Sequence, residues 1–183
     1  MEHATDLSRP AVSVQDDSGP DIPFRSDETQ LAQLREAQGE FELPEELSTS
    51  DPWVMDCFTL PATRKHCREA RARVDQLISL AGVSEKVRFD VSLAVGEAVA
   101  NAIEHGSGND PNGSFTVRCV ATSKCVFVSV SDHGPGFNPK ELPSANQALL
   151  RDRGRGIHCI MAVMDEVGFD FTSGTTVRMM KYC

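Results

Sequence analysis

The sequence predicts an α/β fold of the α+β two-layer kind, a mostly antiparallel mixed sheet with its helices layered on one face. Three observations carry that expectation. Two pairs of runs rich in Val, Phe and Thr are each joined by a short polar turn, at 122–124 and 173–174, as in β-hairpins. Two long segments, 62–81 and 84–105, repeat apolar residues at helical spacing. The resulting order is strand, helix, helix, two strands, loop, helix, two strands, and hairpins on that scale imply antiparallel pairing with the helices on one side. A chain of 183 residues, 40% of them hydrophobic, holds one substantial core.

Residues 1–52 form an acidic extension with 13 Asp/Glu against 3 Lys/Arg, net −10 of a total of −9. Its few large apolar residues predict a largely disordered segment, apart from a short helix at 26–38 carrying Leu31 and Leu34, followed by Phe41 and Leu43. The folded domain is expected over 53–183. It opens with a strand at 53–60, which Pro61 ends by starting a helix over 62–81. The Arg64, Lys65, Arg68, Arg71 and Arg73 of that helix read as a solvated face, and His66 as an ordinary exposed histidine. Gly82 stops the helix and Ser84 caps the next, which runs to His105 before Gly106-Ser107-Gly108. Strands at 114–121 and 125–131 follow. Residues 138–152, with Pro139, Pro143, Ser144 and Asn146, have the composition of a loop that would make a lid. A helix opening at 153 and reaching about 164, then strands at 166–172 and 175–182, complete the chain.

The composition excludes several classes. Six cysteines form no C-x-x-C pair and no signal-peptide pattern opens the chain, which predicts reduced, mostly buried thiols in a cytoplasmic protein. Net acidity argues against direct nucleic-acid binding. No apolar run approaches the roughly 20 residues that cross a bilayer. There is no G-x-x-x-x-G-K-[ST], and no glycine cluster completes G-x-G-x-x-G.

The chemistry-bearing residues lie elsewhere. Glu97 and Asn101 sit four apart, on one face of a helix whose other face is apolar (Val87, Val91, Ala94, Val95, Ala98, Ala102). The Asn101 carboxamide is a hard neutral ligand suited to Mg2+, which takes few protein ligands and completes its shell with water and phosphate oxygens. Glu97, one turn away, is placed to take a proton from an incoming nucleophile. Asp132, at a strand end, can accept a hydrogen bond from an exocyclic amine such as that of adenine. Gly134 and Gly136 free the backbone to swing the lid. Gly154 and Gly156 let phosphate oxygens approach amides at a helix N-terminus, with Arg151, Arg153 and Arg155 adding charge. Each feature alone is weak, and their order along the chain is what combines them.

E-A-V-A-N-A-I-E-H-G (97–106), S-D-H-G-P-G-F (131–137), G-R-G-I (154–157), M-A-V-M-D-E-V (161–167) and G-T-T-V-R-M-M-K (174–181) resemble the boxes of the GHKL ATPase superfamily. They are most similar to bacterial anti-sigma factor serine/threonine kinases. The resemblance covers about 53–181 and implies a Bergerat-type ATP-binding sandwich using ATP and Mg2+. It implies that Glu97 is the general base, Asn101 the Mg2+ ligand, Asp132 the adenine-binding residue and Thr175 a support for the base. It places Gly134, Gly136, Arg153, Gly154, Arg155, Gly156 and Ile157 around the nucleotide. It also implies a homodimer that holds a sigma factor inactive and phosphorylates a serine or threonine of a STAS-domain antagonist. Two features depart from the pattern. Asp152 between Arg151 and Arg153 leaves the lid arginine without a unique alignment, and the acidic extension has no counterpart. Two further readings stay open: an ATP-sensing module that binds a regulator without phosphotransfer, and a histidine-kinase-like catalytic domain.

Overall fold

Among the described residues five strands form one sheet in the order β1-β2-β3-β5-β4: β1 (Val54–Pro61), β2 (Ser114–Ala121), β3 (Cys125–Asp132), β4 (Glu166–Asp170) and β5 (Thr175–Tyr182). The computed structural model describes residues 53–106, 110, 112–135 and 155–183. The expected extension at 1–52 and lid at 138–152 lie outside the described residues. All four strand pairings are antiparallel, so the sheet is not mixed. Every connection between paired strands is either a tight hairpin or a return through helices, and neither imposes a parallel pair here.

Among the described residues three helices cover one face: α1 (Arg64–Leu80), α2 (Glu85–Asn101) and α3 (Arg155–Val163). Leu77 and Ile78 of α1, Val91 and Val95 of α2 and Ile160 of α3 are fully buried against Val117, Val126, Val128 and Met179 of the sheet. Each such side chain contributes about 1.5–3 kcal/mol by leaving water. The six apolar positions expected on the back of α2, from Val87 to Ala102, are all buried, which turns Glu97 and Asn101 toward the open side.

Local signals set the helix ends. Gly82 takes φ +74, the left-handed conformation that closes α1, and Ser84 caps α2, its hydroxyl accepting from the Val87 amide. Pro61 behaves differently from the expectation. It is the last residue of β1, paired with Ser114, and α1 starts three residues later. β1 is an edge strand, where a missing N–H leaves no ladder bond unmade. At the other end of α2 the chain passes into a π turn, Ala102–Gly106, a wider winding that the sequence does not announce and that recurs at functional sites.

The basic face of α1 is more engaged than a solvated stripe. Arg73 donates to both carboxylate oxygens of Asp56 on β1, its Nη2 at 3.0 Å from Oδ1, while its guanidinium lies 4.3 Å from the Phe58 ring centre. Arg71 Nε donates to Ser92 Oγ at 3.2 Å, and Arg64 approaches Glu104 at 3.9 Å. His66 is half-buried rather than exposed, its Nδ1 2.8 Å from Thr63 Oγ1. Because Asp56 is buried, Arg73→Ala is expected to lower stability by about 2–3 kcal/mol by stranding that carboxylate. Chemical denaturation measures this, and a change below about 0.5 kcal/mol would class the pair with ordinary surface ion pairs.

Of the six free cysteines, Cys119 and Cys125 are buried, Cys67 and Cys159 are intermediate, and Cys57 and Cys183 are exposed. The expectation of mostly buried thiols therefore holds for the β2–β3 hairpin alone. Strand alternation exposes Cys57 on β1, and Cys183 lies past the last pairing of β5.

Candidate active site

α2 presents Glu97 and Asn101, both half-buried, on the side facing the start of α3. Gly156, in the first turn of α3, lies so close that a Cβ placed there would come within 2.8 Å of Glu97 Oε2 and 3.5 Å of both Asn101 amide atoms. Any other residue would push α3 off α2 or displace the carboxylate. The absent side chain lets the first turn of α3 stand beside a carboxylate and a carboxamide, and amides at a helix N-terminus favour phosphate oxygens. Arg155 is the first residue of α3 and is exposed, while Ile157 is buried and anchors the helix.

Two thiols flank the carboxylate. Burial, and after it the Glu97 charge, pushes the Cys159 thiol above its ordinary value. Burial does the same for Cys67, opposed by Arg71 and reinforced by Glu97. Cys67 also donates weakly to the Gly96 carbonyl at 3.7 Å. Both thiols therefore stay protonated and uncharged at neutral pH, adding no second negative charge beside Glu97.

The second half of the site gathers around Asp132, the last residue of β3, which is buried. Its Oδ1 accepts from the Gly134 amide at 2.8 Å and from the Thr175 amide at 3.4 Å. Asp132 and Thr175 are register partners across the β3–β5 ladder, so the carboxylate and the Gly-Thr corner are brought together by sheet pairing. Among the described residues Oδ2 has no hydrogen-bond partner, which leaves one acceptor for a ligand. Asp132 is buried and held in place by backbone donors.

Glycines make room for this arrangement. A Cβ on Gly106, at the end of the π turn, would collide with the Asp132 side chain, and one on Gly134 would collide with the Gly106 backbone. Gly174 has φ +110 and abuts the Asp132 carbonyl. The π turn thus carries α2 from Glu97 and Asn101 directly to Asp132, joining the two halves along one continuous segment.

Of the expected site residues, Glu97, Asn101 and Gly156 meet at the α2–α3 contact, and Asp132, Gly134 and Thr175 at the end of β3. Gly136, Arg153 and Gly154 lie outside the described residues. The sequence marked Gly106 as a helix breaker closing the 97–106 box and Gly174 as the first residue of the Gly-Thr box in the last hairpin, but not that both crowd Asp132. A glycine directly preceding the Thr175 position was the available signal for Gly174.

The donor set fits a nucleotide with a weakly ligated cation. Among the described residues no group of three or more His, Cys, Asp or Glu could hold a metal by itself. Mg2+ needs no such cage, since it binds through one or two protein ligands and phosphate oxygens, and Asn101 beside the α3 N-terminus meets that requirement. Among the described residues no helix is long and apolar enough to cross a membrane.

The family model described as the histidine kinase-like ATPase domain matches residues 60–181. The serine-protein kinase RsbW of Bacillus subtilis (strain 168) is 30% identical over 119 residues, which cover 57% of this chain and 74% of that protein. RsbW of Listeria monocytogenes serotype 4b (strain F2365) is 29% identical over 132 residues, 67% of this chain and 83% of that protein. Among solved structures, the RsbU and RsbW domains of a Mycobacterium tuberculosis protein are similar with a TM-score of 0.53 at 24% identity, over 71% of this chain and 32% of that one. The SiaB-SiaC complex from Pseudomonas aeruginosa is similar with the same TM-score, 0.53, at 15% identity over 84% of this chain and 98% of that one. These two likenesses speak to the fold.

Proposed function

Since the chain belongs to the GHKL family of histidine kinase-like ATPases, and within it to the anti-sigma factor serine-protein kinases, we propose that Glu97, Asn101 and Asp132 divide the work of ATP-dependent phosphotransfer. The protein is an ATP-dependent serine/threonine kinase. Its substrate in this reading is a hydroxyl on a STAS-domain anti-anti-sigma protein, and its second partner is a sigma factor held inactive. A homodimer in the cytoplasm is the assembly and setting that go with that role.

The observation that carries the assignment is the Glu97–Asn101–Gly156 contact, which gathers a base, a cation ligand and phosphate-binding amides at one spot. Bound Mg-ATP supplies an electrophilic phosphoryl group and a cation to offset its charge. Asn101 would ligate the Mg2+ through its amide oxygen. The α3 amides around Gly156 hold anionic oxygens, and Arg155 with the arginines before it adds positive charge. Glu97 receives the proton of the incoming hydroxyl at its carboxylate. Asp132 Oδ2 accepts from the exocyclic amine of adenine, with Thr175 and the nearby glycines shaping the space beside the base.

The test is to recover the chain with its bound partners from native lysate, add Mg-ATP and map phosphate on every co-purified protein by mass spectrometry. Phosphoserine or phosphothreonine on a small STAS-like partner is the expected result. Partners that stay unmodified while ATP is bound would point to a nucleotide-sensing module. Phosphohistidine on a partner would point to a histidine kinase.

A further inference from the structure

We propose that Lys181, on β5, is a positioning residue for phosphotransfer, fixing where the first turn of α3 stands against Glu97 and Asn101. The proposal rests on the assignment of Glu97, Asn101 and the α3 amides to Mg-ATP, and adds what holds them in one arrangement. Lys181 itself lies outside the candidate site. It is at the far end of β5 from Thr175, about 20 Å away at roughly 3.4 Å per residue.

α2 and α3 run antiparallel and are tied at both ends. The start of α3, at Gly156, meets Glu97 and Asn101 near the end of α2. Just past the other end of α3, Asp165 Oδ1 accepts from Lys181 Nζ at 3.1 Å, and the same ammonium lies 3.7 Å from Asp90 Oδ2 on α2. The Lys181 and Asp90 side chains are only 13% and 15% exposed, so water screens this bridge less than an open surface pair. Asp165 is also fastened to β5 directly. Its amide donates to the Met180 carbonyl at 2.9 Å, and its Oδ2 accepts from the Tyr182 amide at 2.7 Å. One lysine thus joins α2, β5 and the exit of α3.

The catalytic end needs such a tie. Gly156 permits close approach there but offers no side chain to interlock, so it does not fix how far α3 slides or turns along α2. Ile160 is fully buried midway along α3, yet apolar burial is non-directional and resists separation more than sliding. A charged bridge with directed hydrogen bonds sets register, which is the best-attested use of such pairs. α3 has nine residues and is about 14 Å long, a short rod that carries a shift at Asp165 to Gly156. Tolerance is small at that point, since even a Cβ on Gly156 would come within 2.8 Å of Glu97 Oε2. In the transfer the γ-phosphoryl leaves ATP for the acceptor oxygen, the hydroxyl proton passes to Glu97, and ADP departs. Phosphate-holding amides and Glu97 must share one geometry, and a misplacement of about 1 Å costs on the order of 100-fold in rate.

Lys181→Met in the full-length chain removes the charge and keeps an unbranched side chain. The fold should persist, because Asp90 keeps Lys86 at 3.4 Å and Asp165 keeps the Tyr182 amide. In this variant kcat for transfer from labelled ATP to the co-purified acceptor protein is expected to fall by about 100-fold, with KM for the acceptor close to wild type. Calorimetry should show adenosine affinity nearly unchanged and the ratio of ATP to adenosine affinity lowered. Lys181→Arg, whose fork can reach two carboxylates, should restore most of the rate, and Asp90→Asn should reproduce the loss from the α2 side of the bridge. A wild-type rate and affinity ratio in Lys181→Met, with only a lower unfolding midpoint, would overturn the proposal and leave a structural ion pair. Equal losses of adenosine and ATP affinity would overturn it too, as general loosening. A wild-type chain that binds ATP and labels no partner would sink the kinase reading instead, and the ATP-to-adenosine ratio would then decide by itself whether Lys181 positions α3.

Discussion

Glu97→Ala is expected to leave ATP affinity nearly unchanged and to lower phosphotransfer by about 10²–10⁴-fold, the range a positioned acid or base contributes. The two effects separate because of where the side chain sits. Glu97 is half-buried on the open side of α2, outside the apolar cluster that holds the helix to the sheet, so its removal opens no core cavity. Across the contact it faces Gly156, where a Cβ would stand 2.8 Å from the carboxylate. Truncation therefore frees space without stranding a buried charge, and the unfolding midpoint should stay close to that of the wild type. Glu97→Gln keeps the shape and removes the basicity, and it should be as inactive as the alanine variant. Single-turnover transfer to the acceptor protein, measured beside ATP binding by calorimetry, reads both quantities. Transfer at the wild-type rate in the glutamine variant would remove Glu97 from the role of base.

How much of this was legible in the sequence depends on the range over which each feature is set. The Glu97–Asn101 pair needed only helical periodicity, and the burial of Val87, Val91 and Val95 behind it follows from the same spacing. The caps at Gly82 and Ser84 were equally local. Pro61 was misread because its meaning depends on the sheet. At an edge it closes a strand, and only knowledge that β1 has a single neighbour distinguishes that from the first turn of a helix. The Asp132–Thr175 contact joins residues 43 apart and exists because β5 inserts between β3 and β4. The β4–β5 hairpin was readable, but its side of attachment was not. The π turn at Ala102–Gly106 escaped for another reason. Its residues carry no local signal for a wider winding, and the turn ends where Gly106 packs against Asp132, a contact set by the sheet. The apolar cluster on the sheet face opposite the helices follows the same logic, since Val120, Phe127 and Met180 come from three strands and become one patch only once those strands are in register.

Asp132→Asn is expected to weaken ATP binding by about 10–150-fold, corresponding to the roughly 1.5–3 kcal/mol of a hydrogen bond to a charged group. The substitution is nearly isosteric, and the backbone dictates which way it settles. The Gly134 and Thr175 amides both donate to Oδ1, so an asparagine turns its carbonyl oxygen toward them and keeps the corner of β3 intact. Its NH2 then occupies the position of Oδ2. In the proposed site that replaces an acceptor with a donor, set against the exocyclic amine of adenine, and two donors repel where a charge-assisted bond had formed. The same exchange should favour a base offering a carbonyl at that position, so the ratio of GTP to ATP affinity should rise even as binding of ATP falls. That change in selectivity is what distinguishes base recognition from general damage, because a loosened fold lowers both affinities together. Calorimetric titration of the wild-type and variant chains with each nucleotide measures the ratio. An ATP affinity equal to wild type, or parallel losses for ATP and GTP, would take adenine recognition away from Asp132 and leave it as a structural carboxylate that ties β3 to β5.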